Sequence, residues 1–216
     1  MSIEDKILLR LKSLGADFVH FVDITGLSEK ENKSYPTAIL FGIVLPPDYV
    51  RKLNDSQETD VSEFSSGEEK VGELAELIAE ELVKEGYAAY SQSDHNIYAT
   101  GYYEESCKTT PLPHKTIAVL GGLGWIGKDN LLVTKEYGSA INLCSVLTDA
   151  PVKSISHIPM KSRCGACKIC QTICPAKVIK GNIWKPGMAR EELVDVYHCA
   201  ECLKCMVACP WNRSAG

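Results

Sequence analysis

The chain has 216 residues, of which 23 are basic and 28 acidic, and its formal net charge is −5. This balance excludes a strongly basic nucleic-acid-binding protein, and every apolar run is too short to span a bilayer. Residues 1–15 mix charged and apolar positions, unlike the continuous apolar stretch of a signal peptide. These features predict a cytoplasmic protein, with no membrane partner and with nucleic acid disfavoured as a partner.

The first half of the chain predicts helices and strands in turn. Apolar residues at spacings of three and four predict a helix over 3–14, which Gly15 ends. Strands are predicted at 17–23 and at 38–45, where an apolar run is closed by two prolines. Residues 48–70 are polar without a clear period, so a surface loop or lid is expected there.

Further along the chain, the strongest helical period covers residues 71–83. A strand is expected at 87–90, and residues 91–112 have an irregular pattern. Another strand, at 141–147, is expected to pair in a hairpin with residues 131–133. Helices and strands do not alternate strictly. The predicted fold class is therefore α+β, with antiparallel or mixed strand pairing favoured over an all-parallel sheet.

Eight of the ten cysteines lie in two runs near the end of the chain, each reading C-x-x-C-x-x-C-x-x-x-C-P. This is the spacing by which bacterial ferredoxins bind two cubane [4Fe–4S] clusters. The first three thiolates of a run bind one cluster from a single loop, and the fourth binds the other cluster. The predicted ligands are Cys164, Cys167, Cys170 and Cys209 for the first cluster, and Cys199, Cys202, Cys205 and Cys174 for the second.

Zinc and disulfide bonds are the alternatives for these cysteines. Zinc sites usually use two separated C-x-x-C pairs, which explains two runs of four poorly, and nothing in the sequence directs the chain to an oxidising compartment. The cysteines therefore predict two domains, a mixed-sheet α+β body over 1–158 and a ferredoxin-like 2[4Fe–4S] domain over 159–216. A short helix is expected after each Cys-Pro. Because so short a domain buries little apolar surface, cluster binding should supply much of its stability.

A glycine loop at residues 121–128 matches two nucleotide-binding patterns only in part. Gly122, Gly124 and Gly127 fit G-x-G-x-x-G, with a possible strand at 116–120, but that fingerprint needs a helix to open at the loop. The residues that follow lack a continuous apolar face. The P-loop pattern also fails, because Asp129 stands where the magnesium-binding Ser or Thr would be.

Taken together, the motifs resemble those of epoxyqueuosine reductase. The matching segments are Gly-Leu-Gly-Trp-Ile-Gly-Lys at 122–128, Gly-Ser at 138–139, Leu-Thr-Asp at 147–149 and Cys-Pro-Trp-Asn at 209–212. The resemblance extends over residues 108–212 and only loosely over the N-terminal body. It implies two [4Fe–4S] clusters and a cobalamin cofactor, as in the related reductive dehalogenases. It also implies that the glycine loop packs beside the corrin face, through Gly122, Gly124, Trp125, Gly127 and Lys128.

The sequence departs from that family at the proton donor and at its end. An Asp of the family aligns with Lys108, in Lys-Thr-Thr-Pro at 108–111, so Lys108 is the predicted catalytic residue. A buried Lys108 could still deliver a proton, whereas an exposed one would indicate that the family's chemistry is lost. By this resemblance the sequence is interpreted as a short form without the C-terminal extension that the family uses for tRNA, and a small-molecule substrate is expected instead.

Two functions fit this sequence. The first is an iron–sulfur oxidoreductase that receives electrons from a donor protein and passes them singly through two [4Fe–4S] clusters. The acceptor is cobalamin or a small-molecule substrate in the N-terminal body. The alternative is a ferredoxin-like electron carrier or reductive activator of a partner protein, with no corrinoid and no turnover. Replacing Lys108 by Ala should abolish turnover in the first case and leave electron transfer intact in the second.

Overall fold

The structure is a computed structural model that describes residues 1–214. Its contacts divide the chain into two compact units. The first unit comprises Met1–Ile43, Ser66–Gly121 and Asn142–His157, and the second comprises Val44–Ser65, Gly122–Ile141 and the residues from Ile158 onward. The last segment of the second unit begins at Ile158, beside the expected boundary between 158 and 159. The second unit also includes Val44–Ser65 and Gly122–Ile141, which were expected to belong to the N-terminal body. The division into two functional domains stays a prediction.

Eight α-helices and six strands make up the regular structure of residues 1–214. The helices are α1 (Ile3–Ser13), α2 (Glu29–Asn32), α3 (Pro47–Asp55), α4 (Ser62–Lys84), α5 (Asp94–Ala99), α6 (His114–Leu120), α7 (Ile169–Ile173) and α8 (Lys204–Val207). The strands are β1 (Phe18–Asp23), β2 (Thr37–Val44), β3 (Ala89–Ser91), β4 (Gly124–Ile126), β5 (Leu132–Thr134) and β6 (Ile141–Thr148). Within this described range, no helix is both long and apolar enough to cross a membrane.

A four-stranded sheet in the order β1-β2-β6-β3 supports the first unit. The pairs β1–β2 and β3–β6 are antiparallel, and an isolated parallel bridge joins Val22 to Ile155. Helices α1 and α4 bury their apolar faces against this sheet, with Leu11 and Ile78 among the residues of the shared core. The predicted α+β class is confirmed, as are the first helix and the strands near 17–23, 38–45 and 141–147.

The predicted loop over residues 48–70 is wrong, because two helices cover most of it. Helix α3 begins at Pro47, where proline has its preferred place in the first turn. Tyr49 and Leu53, four residues apart, are its buried face. Helix α4 begins at Ser62, several turns earlier than the apolar period indicates, and its first turns are mostly exposed. These segments have too few apolar residues to show a period, although each forms a helix.

Three further expectations about secondary structure and strand pairing are wrong. Residues 116–120 lie in helix α6 and not in a strand, and the irregular stretch 91–112 contains α5 and a 3₁₀ turn at Glu105–Cys107. The segment near 131–133 is a strand, but β5 pairs with β4 and not with β6. Side-chain pattern alone does not choose between these partners, since the choice depends on which backbone edge lies nearby.

The second unit contains the β4–β5 hairpin, α3 and the cysteine-rich segment. Its apolar core joins Leu45, Tyr49, Leu53 and Ala140 to Met206 and Val207 of α8. Helices α7 and α8 lie inside the cysteine runs, before the last cysteine, and not after each Cys-Pro as expected. Only a 3₁₀ helix, Pro210–Ser214, follows the second Cys-Pro.

A chain of buried polar groups crosses the first unit. Ser145 donates to Gln92 Oε1 over 2.6 Å, so the Ser145 hydroxyl is left to accept from His114 Nδ1 at 3.0 Å. Gln92 in turn donates to the Leu112 carbonyl over 2.9 Å. Burial lowers the pKa of His114 from its ordinary value of 6.5 to about 4. The imidazole is therefore neutral in the folded protein at neutral pH.

This lowered pKa predicts a pH-dependent stability. Because unfolded His114 takes up a proton below about pH 6.5 and the folded residue does not, its contribution is complete above that pH and is lost as pH falls towards 4. We expect the free energy of unfolding to drop by about 2 kcal/mol between pH 7 and pH 5 through this residue. Urea titrations of His114→Gln should lack this drop. The exposed control His157→Gln should keep it, and an identical pH profile for all three proteins would contradict the assignment.

Candidate metal centre

Each of the two cysteine runs contains a short helix at the same position. In each run a short helix begins two residues after the second cysteine and contains the third, so that α7 holds Cys170 and α8 holds Cys205. The last cysteine follows the helix, Cys174 at the end of α7 and Cys209 after the end of α8. The two runs therefore share the placement of a helix around the third cysteine, although the residue before the helix is left-handed only in the second run.

Cys209 has a neighbour in the other run. Burial raises the pKa of its thiol to about 11, and the charges of Asp129 and Cys164 add to this effect. The backbone N–H of Trp211 opposes this increase in pKa. The last cysteine of the second run therefore lies near the first cysteine of the first run.

The third cysteine of each run lies among the earlier cysteines of the same run. Burial raises the pKa of Cys170 to about 12, and it also raises that of Cys205. In both cases the charge of Asp129 raises the thiol pKa further, and neighbouring thiols raise it by a smaller amount. These thiols are Cys164 and Cys167 for Cys170, and Cys202, Cys199 and Cys170 for Cys205. Iron binding at these positions must displace protons that burial holds on the thiols.

Cys174 is the most buried cysteine of the tail, with 7% of its surface exposed. It belongs to an apolar cluster with Val178, Ile179 and Val194, against which Cys205 and Cys170 also pack. The third cysteines of both runs therefore pack against the apolar cluster that contains the fourth cysteine of the first run. The eight tail cysteines, all within the described residues, form no disulfide bonds.

The cysteines do not converge on a single point. Among residues 1–214, no three His, Cys, Asp or Glu side chains are grouped as they would be around one metal ion. In a cubane each iron takes its own thiolate, so the four ligands surround the cube instead of meeting at one atom. The donor set of eight thiols suits two such clusters, and the assignment of ligands stays a prediction.

The glycine loop contains strand β4 and the start of the turn that leads to β5. The strand β5 follows the loop where a dinucleotide fingerprint needs a helix, and Gly122 has a positive φ of 73°. A side chain at Gly124 would clash with the Val133 carbonyl, and one at Gly127 would clash with the Asp129 carboxylate. These glycines permit close backbone approach inside the hairpin.

Trp125 and Lys128 of the same loop point into the protein. Trp125 is completely buried, and its ring lies 4.8 Å from that of Trp211, centroid to centroid, in an edge-on arrangement. The Lys128 ammonium donates to the carbonyls of Gly165 and Cys167, over 2.8 Å in each case. Lys128 therefore holds the loop of the first cysteine run. Contact of the loop residues with a corrin ring stays a prediction.

Asn212 ties together two motifs that the sequence showed separately. Its Oδ1 accepts from the backbone N–H of Ser139 over 2.8 Å, and its Nδ2 donates to the Met206 carbonyl over 2.9 Å. Gly138, with φ 67°, leaves no room for a side chain beside Asn212. The Gly-Ser motif at 138–139 and the Cys-Pro-Trp-Asn motif at 209–212 therefore contact each other directly through Asn212.

Lys204 has a similar role that the sequence did not reveal. It lies inside the second cysteine run, and its ammonium donates to the carbonyls of Leu53 and Ser56 over 2.7 Å and of Glu58 over 3.1 Å. These carbonyls lie at and beyond the end of α3, where backbone acceptors lack helical partners. A lysine between two cysteines gives no sequence signal for so distant a contact.

A cleft of about 390 Å³ adjoins the second run. Its lining is Val44, Leu45, Pro47, Val50, Arg51, Asn54, Asp55, Tyr137, Ala140, Val207 and Asn212. Val207 belongs to α8, the helix that holds Cys205. The cleft therefore offers apolar walls and a few polar groups beside a predicted cluster ligand.

Lys108, the predicted catalytic residue, is exposed. It follows the 3₁₀ turn Glu105–Cys107 with a left-handed backbone, φ 47° and ψ 50°. The burial that would favour proton delivery by a lysine is absent at this position. Its catalytic role stays a prediction.

The fold and the cysteine arrangement together define a class of protein, an α+β protein with a doubled ferredoxin-type cysteine motif. Solved structures of reductases share this fold. A reductive dehalogenase whose structure suggests a mechanism for B12-dependent dehalogenation covers 96% of this chain, with a TM-score of 0.67 and 20% identity. An epoxyqueuosine reductase solved with an epoxyqueuosine-modified tRNA stem loop covers 98% of it, with a TM-score of 0.60 and 16% identity. The chain covers 31% and 65% of those two chains.

The curated relatives confirm the resemblance to epoxyqueuosine reductase. The chain is 27% identical to the epoxyqueuosine reductase of Aliivibrio fischeri over 198 residues, which cover 79% of this chain and 48% of that protein. No family model matches the chain. The chain thus spans about half the length of that curated relative, which is named for a reductase activity.

The contacts of Lys128 predict a role in cluster assembly. Lys128→Met should remove two buried charge-assisted hydrogen bonds, each with a net contribution of about 1.5–3 kcal/mol, and loosen the loop of the first run. We expect reconstituted protein to lose most of one cluster and keep about four of eight iron atoms. Lys177→Met is the matched control, because Lys177 also donates to a carbonyl of the tail but is exposed. Equal iron content in both variants and the unmodified protein would contradict this role.

Proposed function

We propose that this chain is an iron–sulfur oxidoreductase that binds two [4Fe–4S] clusters and passes single electrons to a substrate or cofactor. The observation that supports it most is that the two cysteine runs lie close together. Cys209 neighbours Cys164, and both Cys170 and Cys205 pack against the apolar cluster that contains Cys174. We propose that the runs exchange their last cysteines, which is the pattern of two-cluster ferredoxins. The similarity to proteins named as reductases supports an enzyme over a simple electron carrier.

The chain's own residues would provide the ligands and hold them in place. The eight tail thiolates would bind the clusters, which supply one-electron transfer when bound. Lys128 holds the first loop at two carbonyls, and Lys204 anchors the second run to the end of α3. These ties would limit movement of the ligands between redox states.

The cleft beside α8 is the proposed acceptor site. Val44, Leu45 and Val50 provide apolar contact for a small molecule, and Arg51 and Asp55 provide charged groups of opposite sign. Because Val207 lines the cleft and belongs to the helix of Cys205, a bound acceptor would lie near the second cluster. A small molecule with one flat apolar part and one polar end suits these walls.

The similar proteins indicate two molecules to test with this chain, cobalamin as a cofactor and tRNA as a substrate. The similar dehalogenase is B12-dependent, so cobalamin is the cofactor to test, with the glycine loop as its proposed contact. The similar epoxyqueuosine reductase that was solved with a tRNA stem loop qualifies the expectation that nucleic acid is disfavoured. A modified tRNA stem loop therefore belongs among the test substrates.

The proposal can be tested by anaerobic turnover. The chain would be reconstituted with iron and sulfide, reduced with titanium(III) citrate, and mixed with cob(II)alamin or buffer. Three acceptors would then be offered, namely epoxyqueuosine nucleoside, an epoxyqueuosine-modified tRNA stem loop and a halogenated phenol. We expect oxidation of the clusters with formation of reduced product, two electrons per product molecule. Clusters that are reoxidised only by another redox protein would instead establish an electron carrier.

Variants locate the acceptor site in the same assay. Val50→Trp should fill the cleft and lower turnover at least about tenfold, while iron content and cluster reduction stay unchanged. Val83→Trp, at an exposed position of α4, is the matched control. Unchanged turnover in Val50→Trp would show that the cleft is not the acceptor site.

Lys108→Ala should lower turnover without changing cluster reduction if Lys108 delivers the proton.

A further inference from the structure

Trp125 carries a buried hydrogen-bond donor that its neighbours do not use. Its side chain is 0% exposed, and Nε1 has no hydrogen-bond partner within the described part of the chain. A buried indole N–H normally finds an acceptor, because an unmade hydrogen bond away from water is costly. An orphaned donor of this kind points to an acceptor that the protein's own atoms do not supply.

The segments around the Trp125 ring carry ligands of the first predicted cluster. Trp211, whose ring centroid is 4.8 Å from that of Trp125, lies two residues after Cys209. The guanidinium of Arg163 lies 6.0 Å from the ring centroid of Trp125. Arg163 directly precedes Cys164. The indole therefore lies close to two chain segments that each carry a predicted ligand of the first cluster.

The same hairpin contacts a third ligand of that cluster. Lys128, three residues after Trp125, donates to the Cys167 carbonyl over 2.8 Å. The backbone of the first cysteine loop is thus held against the hairpin that carries the indole. Sulfur atoms of a bound cluster are acceptors of hydrogen bonds, and such bonds are one means by which a protein sets the reduction potential.

We propose that Trp125 Nε1–H donates a hydrogen bond to a sulfur of the first cluster, either a sulfide or a cysteine thiolate. The inference rests on the proposed function in one respect, that the tail cysteines bind clusters. A reduced cluster carries one more negative charge than an oxidised one, so the donor stabilises the reduced form more. Trp125 therefore raises the reduction potential of the first cluster. It is a positioning and tuning residue, and no reacting atom is assigned to it.

The test removes the donor and keeps the ring. Replacing Trp125 by 3-benzothienylalanine exchanges the N–H for sulfur in a ring of nearly the same shape, and Trp125→Phe is the simpler variant. Redox titrations followed by EPR should show the first cluster about tenfold harder to reduce, which is 59 mV for a one-electron couple. The potential of the second cluster should not change.

A second readout detects the bond itself. With indole-¹⁵N tryptophan incorporated, the reduced first cluster should show hyperfine coupling to a nitrogen and to an exchangeable proton. Both couplings should vanish in Trp125→Phe. They should persist in Trp184→Phe, the control at a half-buried tryptophan of the segment between the two runs. A third variant, Trp211→Phe, should also keep both couplings, so that the three tryptophans of the chain are separated.

The outcomes distinguish this inference from the proposed function. Two intact clusters with an unchanged potential and no nitrogen coupling would overturn the role of Trp125 and leave the clusters established. A changed potential without coupling in the unmodified protein would also overturn it, because the shift would then come from packing. If no cluster assembles in the unmodified chain, the proposed function and this inference fall together.

Discussion

The second unit depends on polar side chains that hold its cysteine segment through backbone carbonyls. A short segment with eight cysteines buries too little apolar surface to fix its own position. Lys128, Lys204 and Asn212 compensate, since each donates to at least two backbone carbonyls. Because these acceptors are main-chain atoms, the ties constrain the path of the chain and not only its side chains. These ties fix the path of the segment that carries the cysteines.

This constraint explains why the recognisable motifs occur together in the sequence. Gly138 leaves space for Asn212, and Ser139 bonds to it through its backbone N–H. Trp125 packs edge-on against Trp211, one residue before Asn212. The glycine loop, the Gly-Ser pair and the end of the second run are therefore mutually dependent. Losing one member would leave a buried donor, a cavity or a clash in its partner.

The sequence correctly predicted the helices and strands whose own residues show a clear apolar pattern. Helix α1 has a clear apolar period, and strand β2 is a continuous apolar run, so both are recognisable locally. Residues 116–120 have the same apolar character as a strand but form α6. A short apolar run fits either structure, and its neighbours decide. Helix α3 escaped prediction because only Tyr49 and Leu53 show its buried face.

The candidate site was predictable to a similar extent. The spacing of the eight tail cysteines identified them as candidate cluster ligands, because ligands of a cubane cluster follow a regular spacing along the chain. Lys204 and the cleft were not predictable, since their contacts join segments far apart in the chain. Trp125 was recognised through resemblance, but its unpartnered Nε1 is visible only in three dimensions. Lys108 was identified by alignment with a family acid, and its exposure came only from the structure.

The central claim is that the two runs exchange their last cysteines, and iron counting in double variants tests it most directly. If Cys174 belongs to the second cluster, the pair Cys174→Ala and Cys202→Ala damages one cluster, and about four iron atoms should remain per chain. The pair Cys174→Ala and Cys167→Ala should damage both clusters and leave almost none. The reverse result, with four irons kept only by the Cys174 and Cys167 pair, would show that each run binds its own cluster and would contradict the account.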